Sequence, residues 1–108
     1  MAFATPFSYL AQTTTVRTVK TSSGSLKGWF VTNPNSSLAY VQFFDTASAI
    51  TLGTTTPTFV LGIPATAAAN LLVDDGITLS LGLKLACTTT ASGNTAPSTG
   101  LDLCVFVE

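Results

Sequence analysis

Residues 76–90 read GITLSLGLKLACTTT, and this stretch decides the fold class. Its apolar side chains fall on every second position, while small or polar residues fill the gaps. The alternating apolar set is Ile77, Leu79, Leu81, Leu83, Leu85 and Cys87. A helix would scatter these six side chains around its circumference, whereas a β-strand places them all on one face. The stretch is therefore predicted to be one long strand, and the rest of the chain must build a sheet against it.

Two hairpins are predicted around this strand. The Asp75-Gly76 pair is a turn signal, so residues 70–74 (NLLVD) are expected to pair with it. Residues 101–108 (LDLCVFVE) form the last predicted strand, beyond an exposed loop over residues 91–100. Cys87 and Cys104 would then be near neighbours across the second ladder. A disulfide fits this arrangement, but free thiols are the expectation for an isolated pair without a secretory signal.

Further short strands are predicted between turn signals rich in Gly, Pro, Asn and Ser. They cover residues 13–20, 26–32, 38–45 and 58–63. The total is seven or eight strands at short spacing with no convincing helix. This pattern predicts an all-β protein, a two-sheet antiparallel sandwich of jelly-roll or immunoglobulin-like type, as one domain over residues 13–108. Residues 1–12 (MAFATPFSYLAQ) are predicted to form an extended N-terminal arm, either folded over its own sandwich or crossing to a neighbouring subunit.

Composition narrows the possible functions. Only 8% of the 108 residues are charged, the net charge is −1, and 46% are hydrophobic. Four scattered basic residues give no footprint for a phosphate backbone, so nucleic acid is not an expected partner. The apolar runs are too short to span a bilayer, and the N-terminus lacks a basic region ahead of an apolar segment. We therefore expect no membrane partner and no processing.

No residue pattern predicts catalysis. The chain contains no His, which removes the usual base for a Ser, Thr or Cys nucleophile and a common metal ligand. Asp74 and Asp75 are adjacent and would point to opposite faces of a strand, so they are interpreted as solvated turn residues rather than a carboxylate pair. Cys87 lies on the core-facing row and is expected to be inert. We therefore predict that the chain is not an enzyme and that it binds neither a cofactor nor a metal.

The apolar residues exceed what a thin sandwich can hide. Residues 38–45 (LAYVQFFD) are apolar on both faces of the predicted strand, and the arm carries aromatic side chains that need a surface to lie on. Some of these side chains are predicted to be covered by other subunits. The candidate interface residues are Phe3, Phe7, Tyr9, Tyr40 and Phe44.

Three segments resemble the capsid decoration, or cement, proteins of tailed bacteriophages. They are AYVQFFDTASA at residues 39–49, GTTTPTFVLGIP at 53–64 and DGITLSLGLKLACTTTASGNTAP at 75–97. The resemblance implies a homo-oligomer, most readily a trimer, that sits on the capsid surface of the virion after assembly in the host cytoplasm. It also implies that the partner is the major capsid protein and that the role is to stabilise the head by bridging capsid subunits.

A second hypothesis belongs to a different class. Similar modules occur among tail-associated proteins, so the chain is alternatively interpreted as a tail or fibre module that binds a host glycan or receptor. Trp29, Tyr40 and Tyr9 could form an aromatic platform for a sugar ring, or the loop over residues 88–99 could carry the site. Core packing of Trp29 and Tyr40 is the competing interpretation of these aromatic residues.

Overall fold

Eight β-strands make up the fold. The computed structural model describes residues 4–108, so Phe3 of the predicted interface lies outside the described residues. No helix occurs within the described range, which confirms the all-β prediction. The strands are β1 (Thr5–Gln12), β2 (Arg17–Lys20), β3 (Gly24–Asn33), β4 (Ala39–Phe44), β5 (Phe59–Ile63), β6 (Ala67–Leu79), β7 (Leu83–Thr88) and β8 (Leu101–Val107).

The strands form two four-stranded antiparallel sheets, as the sequence predicts. Sheet 1 has the order β1-β8-β3-β6 and sheet 2 the order β2-β7-β4-β5. Strand 1 pairs with 8, 2 with 7, 3 with 6 and 4 with 5, which are the pairings of one long hairpin rolled into a sandwich. This is the jelly-roll order. The immunoglobulin-like alternative is wrong, because in that fold the first strand pairs with the second rather than with the last.

The core lies between the two sheets and is built from alternate positions of the strands. Each strand turns every second side chain inward, so the apolar rows of facing sheets meet. Members of this core with no exposed surface are Leu26, Val31, Val41, Phe43, Ile63, Leu83, Leu85, Cys87, Leu101 and Val105. Burial of these rows supplies the main drive for folding.

The stretch over residues 76–90 is not one strand. β6 ends at Leu79 and lies in sheet 1, whereas β7 begins at Leu83 and lies in sheet 2. Between them the chain bends, and Leu81 turns outward with 58% of its surface exposed. Gly82 permits the close passage, because a Cβ there would lie 2.6 Å from the carbonyl oxygen of Lys20. The prediction of a single strand is wrong at this corner.

The Asp75-Gly76 pair is not a hairpin turn. Both residues lie inside β6, where the strand bulges against β3 between the pairs Gly28↔Leu72 and Leu26↔Ile77. Gly76 takes a left-handed conformation with φ of 80°, which accommodates the extra residues of the bulge. The predicted hairpin is therefore wrong, because the Asp75-Gly76 pair bends one strand instead of joining two.

The two cysteines lie in different sheets. β7 carries Cys87 in sheet 2 and β8 carries Cys104 in sheet 1, because the connection over residues 89–100 crosses from one sheet to the other. The predicted hairpin between these strands is wrong for this reason. Both thiols are free, as expected.

Part of the predicted arm is a strand of the sandwich. Thr5–Gln12 forms β1 and pairs with β8 of the same chain, with Thr5 opposite Val107. The ladder shifts register between Tyr9 and Gln12, where Ala11 has a φ of 51°. The two ends of the described chain therefore lie side by side.

Candidate functional site: the outer face of sheet 1

The outer face of sheet 2 is covered by the chain itself. Phe44 and Ala86 point away from the inter-sheet core, yet their exposed fractions are 1% and 0%. Gln42 Nε2 donates hydrogen bonds to Thr88 Oγ1 at 2.8 Å and to the carbonyl oxygen of Gly93 at 3.0 Å. The connection over residues 89–100 is thus tied across this face.

The predicted interface residues are not brought together on one surface. Phe7 and Tyr9 on β1 are half-buried and pack against the inter-sheet core, and Tyr40 on β4 is half-buried on the outer face of sheet 2. Phe44 is fully covered within the chain, so it presents no side-chain surface to a partner. Phe44 is therefore not part of the interface proposed below.

Tyr9 also has a charged neighbour. The guanidinium carbon of Arg17 lies 5.8 Å from the centre of the Tyr9 ring, a cation–π contact between the edge strands β1 and β2. Partial burial raises the pKa of the Tyr9 hydroxyl, and the positive charge of Arg17 opposes that rise. The contact fixes β1 near β2 rather than leaving the ring free.

Trp29 does not form a platform for a sugar. Only 8% of its surface is exposed, and its ring packs 6.3 Å from that of Phe43 and 6.5 Å from that of Phe59. Phe43 and Phe59 are themselves stacked at 4.7 Å. The core interpretation of Trp29 is therefore correct, and the glycan hypothesis loses its aromatic platform.

The outer face of sheet 1 is not covered by any described loop in the same way. Its side chains stand in cross-strand rows that follow from the register of the four strands. One row runs Pro6, Phe106, Gly28, Leu72, and the next runs Ser8, Cys104, Phe30, Asn70. We call the surface formed by Pro6, Ser8, Leu10, Phe30, Thr32, Leu72, Asp102, Cys104 and Phe106 the sheet-1 face.

Large apolar side chains of the sheet-1 face are open to solvent. The exposed fractions are 76% for Leu10, 48% for Phe30 and 77% for Leu72. A shallow depression of about 170 Å³ lies between Leu10, Phe30 and Cys104. Exposed leucines occur singly on ordinary surfaces, whereas several exposed apolar side chains on one sheet face are a feature of interaction surfaces.

The sheet-1 face carries little charge. Asp102 is the one charged residue among its members, and its carboxylate accepts a hydrogen bond from the backbone N–H of Ala11 at 2.8 Å. The other members carry no charge and can be desolvated at small electrostatic cost, whereas the Asp102 carboxylate must stay hydrated or meet a hydrogen-bond donor. Such a surface suits docking against a mostly neutral surface that leaves Asp102 in contact with water or a donor.

No three side chains of His, Cys, Asp or Glu cluster to hold a metal within residues 4–108. Burial raises the pKa of the Cys87 thiol to about 12, so this thiol is protonated at neutral pH and a poor nucleophile. Cys104 is only half-buried and lies in the depression on the sheet-1 face.

Comparisons with known proteins identify no relative. The chain matches no protein-family model, and neither a curated protein nor a solved structure matches it. No helix long and apolar enough to cross a membrane occurs in the part of the chain that the structure describes. The fold and the sheet-1 face define the class, a small jelly-roll protein with an open apolar sheet face.

The sequence contained a signal for this face that its analysis missed. Trp29 and Phe30 are adjacent aromatic residues on one predicted strand, and adjacent strand residues point to opposite faces. If one ring enters the core, the other must face outward. Leu71 and Leu72 carry the same signal on β6.

Proposed function

We propose that this chain is a non-enzymatic structural protein of a virion, of the capsid decoration kind, that attaches to the major capsid protein through the sheet-1 face. The observation that carries the proposal is that three large apolar side chains of the sheet-1 face, Leu10, Phe30 and Leu72, are exposed to solvent. The choice of the major capsid protein as partner rests on the resemblance to decoration proteins, which covers residues 39–49, 53–64 and 75–97.

The size of the face fits a weak contact repeated many times. With strands about 4.8 Å apart and facing residues about 6.8 Å apart, the sheet-1 face covers roughly 300 Å². A stable pairwise interface needs about 800 Å² on each partner, so one such contact alone is weak. A shell offers many identical sites, and linking weak contacts in an array makes attachment persistent.

The fold supports the same proposal at a coarser level. Jelly rolls form many viral capsid domains, and they also occur in lectins and cupins. The architecture alone therefore does not assign the role, which rests on the surface. With Trp29 buried in the core, the aromatic route to glycan binding is weakened.

The direct experiment uses particles of the encoding virus produced without this protein. Purified wild-type protein is expected to rebind such particles and to raise the temperature at which they release their genome. Phe30→Asp should fail to rebind, because it puts a charge in the centre of the sheet-1 face. Leu38→Asp is the matched control, since Leu38 is 44% exposed but lies just before β4 of sheet 2, outside this face.

Two outcomes would overturn the proposal. One is that purified virions contain none of the protein. The other is that Phe30→Asp, shown by circular dichroism to be folded, occupies particles as fully as the wild type.

A further inference from the structure

β6 is an unpaired edge of sheet 1. It pairs with β3 on one side and has no hydrogen-bonded strand on the other side within the described chain. Leu71 and Leu72 point to opposite faces of this strand, yet both are exposed, at 45% and 77%. Exposure on both faces at successive positions shows that the edge itself is open.

The other three edges carry features that prevent strand addition. β1 contains Pro6, which cannot donate a backbone hydrogen bond, and β2 is four residues long with Arg17 and Lys20 at its ends. β5 is five residues long, with Pro57 shortly before it and Pro64 directly after it. Short strands, prolines and basic side chains are the usual protections of natural sheet edges.

The edge of β6 lacks these protections. Residues 67–73 read AAANLLV, with no proline and no charged side chain, and we call this segment the β6 edge. The negative charges of Asp74 and Asp75 follow at one end only, where the strand bulges at Gly76. A long, neutral, unprotected edge is a template for pairing with another strand.

We propose that the β6 edge pairs with the β6 edge of a second copy, antiparallel about a two-fold axis. In a pairing centred on Asn70, the Asp74 residues of the two copies would lie about 27 Å apart, at opposite ends of the ladder. Parallel pairing would place four carboxylates together. A neutral segment with charge at one end is therefore complementary to itself only in the antiparallel sense.

The pairing joins two sheets 1 into one eight-stranded sheet. It also sets the two sheet-1 faces side by side, which doubles the continuous apolar surface. Phe30 and Cys104 stay uncovered, because their strands lie two and three positions from the partner's β6 in the joined sheet. The contact stands independently of the proposed attachment to a shell. It makes the oligomer a two-fold dimer, in contrast to the trimer that the resemblance implies.

Sedimentation velocity over a concentration series tests the pairing, using the wild type, Leu71→Lys and the control Leu81→Lys. The wild type and Leu81→Lys should show one monomer–dimer equilibrium with the same dissociation constant. Leu71→Lys should raise that constant at least tenfold, because it places a charge at the edge. A wild type that is monomeric throughout or trimeric, or a Leu71→Lys protein that dimerises normally, would overturn the proposal.

Hydrogen exchange on the wild type gives a second readout that needs no variant. Among residues 67–73, the backbone amides that point away from β3 should exchange more slowly as concentration rises, while amides on the β1 edge should not change. A dimer in which the β6 amides stay unprotected contradicts the pairing, even if Leu71→Lys fails to fold. Phe30→Asp should still dimerise, which separates this inference from the proposed attachment.

Discussion

The carboxylate of Asp45 holds the corner where the chain crosses from sheet 1 to sheet 2. It accepts hydrogen bonds from the backbone N–H groups of Ser80, Leu81 and Gly82 at 2.8, 2.9 and 3.2 Å. Asp45→Ala should lower the free energy of unfolding by about 1 to 2 kcal/mol, a modest value because water can replace part of these bonds. Urea denaturation measures this change, and an unchanged midpoint would contradict the role.

The carboxylate of Asp45 should also make the free energy of unfolding depend on pH in the acid range. Partial burial favours its neutral form, but the three N–H donors outweigh this and lower the pKa of Asp45 below its ordinary value of 3.8. Its stabilising effect is complete above that value. As the pH falls further, towards the lower pKa of the folded state, the unfolded chain binds the proton first, so the free energy of unfolding falls.

Asp45→Asn provides the comparison for this prediction. The variant has no carboxylate at the corner, so its stability should decline less between about pH 5 and about pH 2 than that of the wild type. Urea denaturation at these two pH values measures the difference. Equal declines in the two proteins would show that the corner does not contribute.

Asn33 and Asn35 form a buried hydrogen-bonded pair that joins three connections. Asn35 Nδ2 donates to Asn33 Oδ1 and to the carbonyl oxygen of Thr99, both at 2.8 Å, and Thr99 N–H donates to Asn35 Oδ1 at 2.7 Å. Asn33 Nδ2 donates to the carbonyl oxygen of Ile63 at 2.9 Å. Both amide side chains are thus used inside the folded chain, where they hold the connections together.

Asn35→Asp tests this pair with an almost isosteric change. The variant loses both donated bonds and turns a carboxylate oxygen towards two acceptors, so the free energy of unfolding should fall by about 2 to 3 kcal/mol. Asn94→Asp, at an exposed position, should change it by less than about 0.5 kcal/mol. Thermal denaturation of both variants measures the difference, and equal effects would contradict the network.

At the scale of elements, the corner between β6 and β7 breaks an alternation that the sequence continues. Leu81 is 58% exposed, whereas Leu83 has no exposed surface, although both lie on the same apolar row. Leu83→Ala should cost about 2 to 5 kcal/mol of unfolding free energy. Leu81→Ala should cost less than about 1 kcal/mol. Similar costs would place both residues on one buried face and contradict the corner.

Alternation predicted the strands well but not how they connect. It placed Leu79, Leu83, Leu85 and Cys87 correctly in the interior, because alternate side chains of a strand share one face and an apolar face packs inward. It could not reveal the corner, since the period resumes in phase after Gly82. The close approach of the Lys20 carbonyl to Gly82 and the donors aimed at Asp45 are long-range contacts that no local pattern records.

The candidate surface was predictable only in part. The excess of apolar residues predicted that some side chains are covered by other subunits, and this stays a prediction. Phe44, one of the residues named for that surface, is covered by its own chain instead. Which strand face remains open depends on where the loops lie. The tie from Gln42 to Gly93 closes sheet 2, whereas sheet 1 keeps Phe30 exposed.

At the scale of the whole molecule, the jelly-roll order brings β1 and β8 together in sheet 1. This order places the first and last strands on the sheet whose outer face keeps Phe30 exposed, while the connection over residues 89–100 is tied to Gln42 on the outer face of sheet 2. The topology thus separates a covered outer face from an open one. The proposed attachment to a shell and the proposed pairing of the β6 edge use different parts of sheet 1.

Cys104 can report directly on the proposed contact between the sheet-1 face and the capsid. Cys104 lies in the depression beside Phe30, while Cys87 is fully buried with the pKa of its thiol raised to about 12 and should not react. The measurement is the alkylation rate of Cys104 in free and particle-bound protein, read by mass spectrometry. We predict at least tenfold slower labelling in the bound protein. Equal rates at full occupancy would show that the protein docks by another surface.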